Sequence, residues 1–115
     1  MSKVFGIHMI ALRPGVKAED FEKFVIEEAY PLPWPSEVYL LKGDRGDREG
    51  KYLVMWEFES VEARDRYYPA PGQPSEEYQQ FMESHAAELQ TVFEKWETFA
   101  TPVDTICTDY VVVGK

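Results

Sequence analysis

A chain of 115 residues lies within the range of one domain, and it can bury roughly two-thirds of the surface its unfolded form exposes. Its 21 acidic residues outnumber 12 basic ones, for a formal charge of −9, which excludes the Lys/Arg surface that nucleic-acid phosphates and anionic membranes select. A single cysteine, Cys107, excludes an internal disulfide and a Cys-based zinc site and fits a reducing compartment.

The chain opens with Met1-Ser2-Lys3 and an apolar run from Val4 to Leu12. That run is too short for a spanning helix and lacks a signal peptide's small-residue cleavage site, so a cytoplasmic protein is expected. Its β-rich composition predicts the first strand, closed by the turn Arg13-Pro14-Gly15. Lys17 to Tyr30 follows, with Phe21, Phe24 and Val25 at helical spacing and acid in the first turn, which predicts a helix. Pro31, Pro33 and Pro35 end it and force an extended loop around Trp34.

Ser36 to Lys42 reads as the second strand and Lys51 to Glu59 as the third, joined by a charged loop bounded by Gly43 and Gly50. The Arg45-Gly46-Asp47 within that loop is a chance match to an adhesion tripeptide in a solvated hairpin. Ser60 is placed to cap a short helix from Val61 to Tyr68, and Pro69 to Pro74 breaks the chain again. From Ser75 a long helix is predicted to about Phe99, with an apolar stripe of Tyr78, Met82, Leu89, Val92, Trp96 and Phe99 and one gap at His85. Unbroken, it would be about 37 Å long. Thr101 to Thr108 reads as a loop and Asp109 to Val113 as a terminal strand.

The order β-α-β-β-α-β predicts an α+β, ferredoxin-like domain over residues 1–115, with a four-stranded antiparallel sheet and helices on one face. The other face would be bare. Yet strand one is apolar on both sides, with Phe5, Ile7 and Met9 one way and Val4, Ile10 and Leu12 the other. Strand three repeats this, with Leu53 and Met55 behind Tyr52, Val54, Trp56 and Phe58. Monomers seldom expose an apolar patch of that size, so a homodimer packed sheet to sheet is expected.

The segment Leu53-Val54-Met55-Trp56-Glu57-Phe58-Glu59-Ser60-Val61-Glu62-Ala63 resembles the strand and Ser-x-Glu-Ala helix start of the dimeric α/β-barrel superfamily. That group includes antibiotic-biosynthesis monooxygenases and haem-degrading monooxygenases. Arg13-Pro14-Gly15 is similar to its Lys-Pro-Gly turn, and Phe81 four residues before His85 resembles its last helix. The resemblance implies a cleft between sheet and helices that takes an aromatic or planar small molecule. In the haem-degrading branch a strand-one Asn, a strand-three Trp and a last-helix His form the site. Trp56 and His85 match two of these, but His8 is the nearest polar residue of strand one, which counts against haem. No cofactor is therefore expected, haem being the one exception the resemblance admits.

His8, mid-strand in an apolar run, is either a satisfied core or interface histidine or a pocket acid/base. His85 poses the same choice on the long helix. The two are expected as the catalytic pair, with Trp56, Tyr52 and Phe81 binding substrate and Tyr67, Tyr68 and Tyr78 as a rim. Tyr52, Trp56 and Phe58 are equally readable as plain core. Two histidines without a Cys pair or a carboxylate set predict no metal site, and Cys107 has no base near it in sequence. The expectation is a small oxygenase-like enzyme. The alternative is a non-catalytic ligand-binding or assembly module of the same fold.

Overall fold

A computed structural model describes residues 2–114. Strand β1 (Val4–Leu12) leads to helix α1 (Ala18–Phe24), which runs straight into a π-helical turn, Val25–Ala29. Strands β2 (Glu37–Lys42) and β3 (Tyr52–Phe58) follow, then α2 (Val61–Asp65), α3 (Glu76–Ser84), α4 (Ala86–Phe99), β4 (Ala100–Pro102) and β5 (Thr108–Val111). The described residues thus form an α+β fold with a five-stranded antiparallel sheet in the order β2-β3-β1-β4, β5 also pairing β1. That arrangement is compatible with the expected ferredoxin-like build.

Local chemistry explains the joints. The Val16 N–H donates to the Arg13 carbonyl at 3.1 Å, with Gly15 at φ 84° in the turn between β1 and α1. At the β2–β3 hairpin a Cβ on Gly43 would lie 1.9 Å from the Arg48 carbonyl oxygen, so this loop closes only on glycine. The Ser60 Oγ accepts the Ala63 N–H at 3.1 Å and caps α2, and the Ser75 Oγ accepts the Tyr78 N–H at 3.2 Å and caps α3.

β1 is the central strand. His8 pairs with Val54 and Gly6 with Trp56, so the even-numbered residues of β1 and β3 share one face. On that face Ile10, Tyr52 and Val54 meet Phe21 and Phe24 of α1 and Val92 of α4. Phe21 is wholly buried, with its ring edge-on to Tyr52 (5.3 Å) and Trp96 (5.2 Å). Each such side chain contributes about 1.5–3 kcal/mol by leaving water.

The opposite face carries Phe5, Ile7 and Met9 of β1 beside Leu53 and Met55 of β3, as the register requires. Tyr39 and Leu41 of β2 extend it and are 37% and 40% exposed.

Four expectations are corrected. The long helix is two helices, because His85 leaves helical geometry at φ −118°, ψ 22°. A straight helix of about 37 Å would overhang the roughly 30 Å of a nine-residue strand; the break lets α3 and α4 each pack on the domain. The loop read at Thr101 to Thr108 begins with paired residues: Ala100–Pro102 is a strand, and the terminal strand starts at Thr108 and ends at Val111. The sheet accordingly has five strands, since β4 and β5 share one edge of β1. The first helix also differs from the even period expected over Lys17 to Tyr30, because its last turn is wider: the Tyr30 N–H reaches the Val25 carbonyl at 2.9 Å. Among the described residues no helix is long and apolar enough to cross a membrane.

Candidate functional site

The divided edge strand creates the site. β5 pairs with Val4 to Ile7, and β4 with Ile10 to Leu12. Residues 103–107 therefore bulge away opposite His8 and Met9. The Val103 N–H still donates to the Met9 carbonyl at 2.8 Å, which turns Asp104 inward. One Asp104 oxygen accepts the Met9 N–H at 3.1 Å, and the other lies 2.6 Å from His8 Nδ1.

Nδ1 and that oxygen are both shut off from water, and among the described residues each has no partner but the other. Their approach is short but off the line of a well-aligned hydrogen bond. The contact sets a carboxylate oxygen beside one ring nitrogen, Nδ1. A base held by a carboxylate behind it is the arrangement of a general-base histidine.

His8 lines a cavity of about 170 Å³ between the sheet and the helices. Its walls are aromatic and aliphatic: Trp56 and Val54 from the sheet, Trp96 and Phe93 from α4, Trp34 from the proline-bounded loop. The π-helical turn supplies Val25 and Ala29, with Tyr30 just beyond. Trp34 is pinned there because its indole N–H donates to the Ala29 carbonyl at 2.8 Å. The Tyr30 hydroxyl is taken up by the Leu40 N–H at 2.7 Å, so it braces β2 against the helix.

A larger cleft of about 1030 Å³ adjoins this cavity, and His8 and Trp56 belong to the walls of both. The loop from Pro69 to Pro74 and the segment from Thr105 to Asp109 form its sides. Cys107 is part of that wall, and burial pushes its thiol above the usual range, with Asp104 and Asp109 adding to the effect. Burial likewise raises the Tyr68 phenol far above its usual value.

The expected site residues divide into two groups. His8 and Trp56 meet at the cavity. His85 does not line it: its ring lies 5.0 Å from Phe81 and its Nδ1 3.5 Å from Glu88. Phe81 packs on Trp34 at 6.4 Å and so backs the cavity wall from outside. Tyr52 is buried in the core, its hydroxyl donating to Glu22. Of the tyrosines read as a rim, Tyr68 lines the larger cleft, while Tyr67 packs on Phe58 at 6.4 Å and Tyr78 on Tyr68 at 5.0 Å. Asp104 was not foreseen. Its one signal is an acidic residue within an otherwise β-compatible stretch, and that gains meaning only when β4 and β5 are seen to share β1.

Among the described residues no three His, Cys, Asp or Glu side chains converge as metal ligands would. No family model, curated protein or solved structure matches the chain.

Proposed function

We propose that this chain is a small oxygenase-like enzyme. It holds a single-ring, electron-rich aromatic molecule between sheet and helices, with His8, backed by Asp104, as proton acceptor. The observation that carries this reading is the 2.6 Å approach of Asp104 to His8 Nδ1 at the wall of an otherwise apolar, aromatic cavity. An apolar cavity of about 150 Å³ is enough for a benzene ring, so about 170 Å³ takes one substituted ring. Tryptophan faces and edges on several sides suit offset or edge-on packing of that ring.

His8 Nε2 takes the proton of a ring hydroxyl, and Asp104 stabilises the imidazolium. The resulting phenolate is electron-rich, and dioxygen is the co-reactant. A ring carbon forms a bond to one oxygen, and the proton on His8 passes to the other, giving a hydroperoxide. The apolar walls keep water from competing for the proton.

Haem does not suit these residues. The cavity is far smaller than a porphyrin, and the adjoining cleft offers Arg64 as its cation, already paired with Asp65 at 2.8 Å and Asp109 at 2.5 Å. Two propionates would meet carboxylates there.

The apolar rear face supports a homodimer, sheet against sheet, with each chain ferredoxin-like and the pair forming a dimeric α/β barrel. A cytoplasmic setting goes with a lone thiol and an acidic surface.

The second reading is a ligand-binding module that turns nothing over. It is favoured by the cavity wall, where among the described residues His8 is the one ionisable side chain besides the engaged Tyr30. Oxygen uptake by the purified protein with phenol, catechol and hydroquinone decides between them, alongside quenching of tryptophan fluorescence. Quenching with oxygen uptake that His8→Ala abolishes supports the enzyme. Quenching without uptake supports the module, and no quenching removes both.

A further inference from the structure

We infer that Phe93 is the gate of the inner cavity and sets the size of the ring it accepts. The inference rests on the aromatic-binding reading of that cavity and adds where a ligand enters and what limits it.

Of the residues that line the cavity, Phe93 and Tyr30 are exposed, at 46% and 39%, whereas the others are buried or half-buried. A side chain that faces both solvent and a cavity stands at an opening. The opening therefore lies between α4, which carries Phe93, and Tyr30, which follows the π-helical turn. Leu89 and Val92 turn into the core, and Phe93 flanks them on the outer side of the same helix. This route is separate from the larger cleft, whose walls include neither Phe93 nor Tyr30. His8 belongs to the sheet, so a phenol that enters past the helices meets the imidazole on the opposite wall.

The mouth has one movable part. Tyr30 is fixed because its hydroxyl accepts the Leu40 N–H at 2.7 Å, and Trp34 because its indole N–H donates to the Ala29 carbonyl at 2.8 Å. Trp96, one turn beyond Phe93, is held edge-on against the buried Phe21 at 5.2 Å. Phe93 has no polar atom to anchor it, and its ring rests at a tilt on Trp34 with centroids 6.3 Å apart. Exposed side chains of this kind change rotamer in picoseconds to nanoseconds, so the ring can swing clear of an arriving ligand.

The same side chain sets the size limit. The cavity of about 170 Å³ takes one ring. Its other walls belong to the sheet, to the core or to rings held by hydrogen bonds, so room for a second fused ring is made at Phe93.

Phe93→Ala alters an exposed flank of α4, where substitution disturbs folding little, and Phe93→Leu keeps apolar bulk in between. Phenol and 2-naphthol are titrated into the intact protein by calorimetry. Phenol entry is followed by stopped-flow tryptophan fluorescence, since all three tryptophans line the cavity. The wild type should bind phenol more tightly than 2-naphthol. Phe93→Ala should shift the ratio toward 2-naphthol by about tenfold or more, and Phe93→Leu by less. Association and dissociation of phenol should both speed up in Phe93→Ala. An unchanged ratio in both variants, or a wild type that binds 2-naphthol as tightly as phenol, would overturn the inference while phenol binding kept the aromatic pocket. Phenol association that is slowed by Ile106→Trp in the larger cleft and unaltered by Phe93→Ala would overturn it as well. Failure of phenol to bind the wild type would remove the pocket and the inference together.

Discussion

Asp104 holds His8 from a segment that belongs to no strand: one carboxylate oxygen meets Nδ1 at 2.6 Å, and the other takes the amide of the next residue, Met9, at 3.1 Å. The bulge between β4 and β5 exists at the one place on β1 where the strand presents a polar side chain to the helices. Carboxylate and imidazole are thus positioned by a single feature of the sheet edge.

Asp104→Ala is expected to leave the buried Nδ1 and the Met9 amide without partners, at a cost of about 1–3 kcal/mol. Nitrogen NMR should show neutral His8 as the Nδ1–H tautomer in the wild type and a mixture in the variant. Turnover of any phenol the protein oxidises should fall by 10² or more. An unchanged tautomer would mean that Asp104 does not orient the ring.

The rear sheet face yields a prediction about assembly. A lysine at Leu41 or Met55 would place charge within an apolar contact, and an interface of standard size loses much of its affinity to a single buried, unpaired ammonium. Light scattering should give a dimer for the wild type and a 13.4 kDa monomer for the double variant Leu41→Lys/Met55→Lys. A wild-type monomer with the same melting behaviour as the variant would sink the face-to-face pair.

Glu22 is expected to contribute to stability against acid. The Tyr52 hydroxyl, and after it the Lys42 ammonium at 3.0 Å, hold this carboxylate below its ordinary range. A folded-state value below the unfolded one adds stability at pH above the unfolded value of about 4.3. That stability is lost as pH falls through the lower, folded-state value. Urea midpoints should therefore drop less between pH 6 and pH 3 for Glu22→Gln than for the wild type. Parallel curves would show that the contact is not linked to folding.

Phe21→Ala tests the centre of the core. Its ring lies between Tyr52, Trp96 and Phe99 with no exposed surface, and truncation is expected to cost about 3–5 kcal/mol. Against a total of about 5–15 kcal/mol for a domain of this kind, the variant should unfold at markedly lower urea. A loss below 1 kcal/mol would contradict the packing described.

Much of the fold was legible because the apolar, β-rich runs of β1 and β3 and the helical spacing of Phe21 with Phe24, and of Leu89 with Val92 and Trp96, mark elements that pack in the core. The mid-helix break was not. His85 carries no proline or glycine signal, and its departure from the helix reflects where α3 and α4 must pack, which is tertiary information. His8 and Trp56 could be singled out, as a polar residue in an apolar run and an aromatic on a central strand. Asp104 could not, because its role arises from a register shift between two short strands that lie near the far end of the chain from their partner, β1. The cavity's π-helical wall is equally silent in sequence, since one extra residue per turn leaves no compositional trace over so short a stretch.

The split of the outer strand has a consequence for colony-mates of the same chain. Ala100–Pro102 and Thr108–Val111 are each too brief to template a long intermolecular ladder, and Pro102 lacks an N–H to offer one. At the far border the Leu40 amide is already occupied by a tyrosine hydroxyl. Growth by strand addition is thus discouraged at these points of both margins, and the proposed dimer, packed through the apolar rear of the sheet, needs neither.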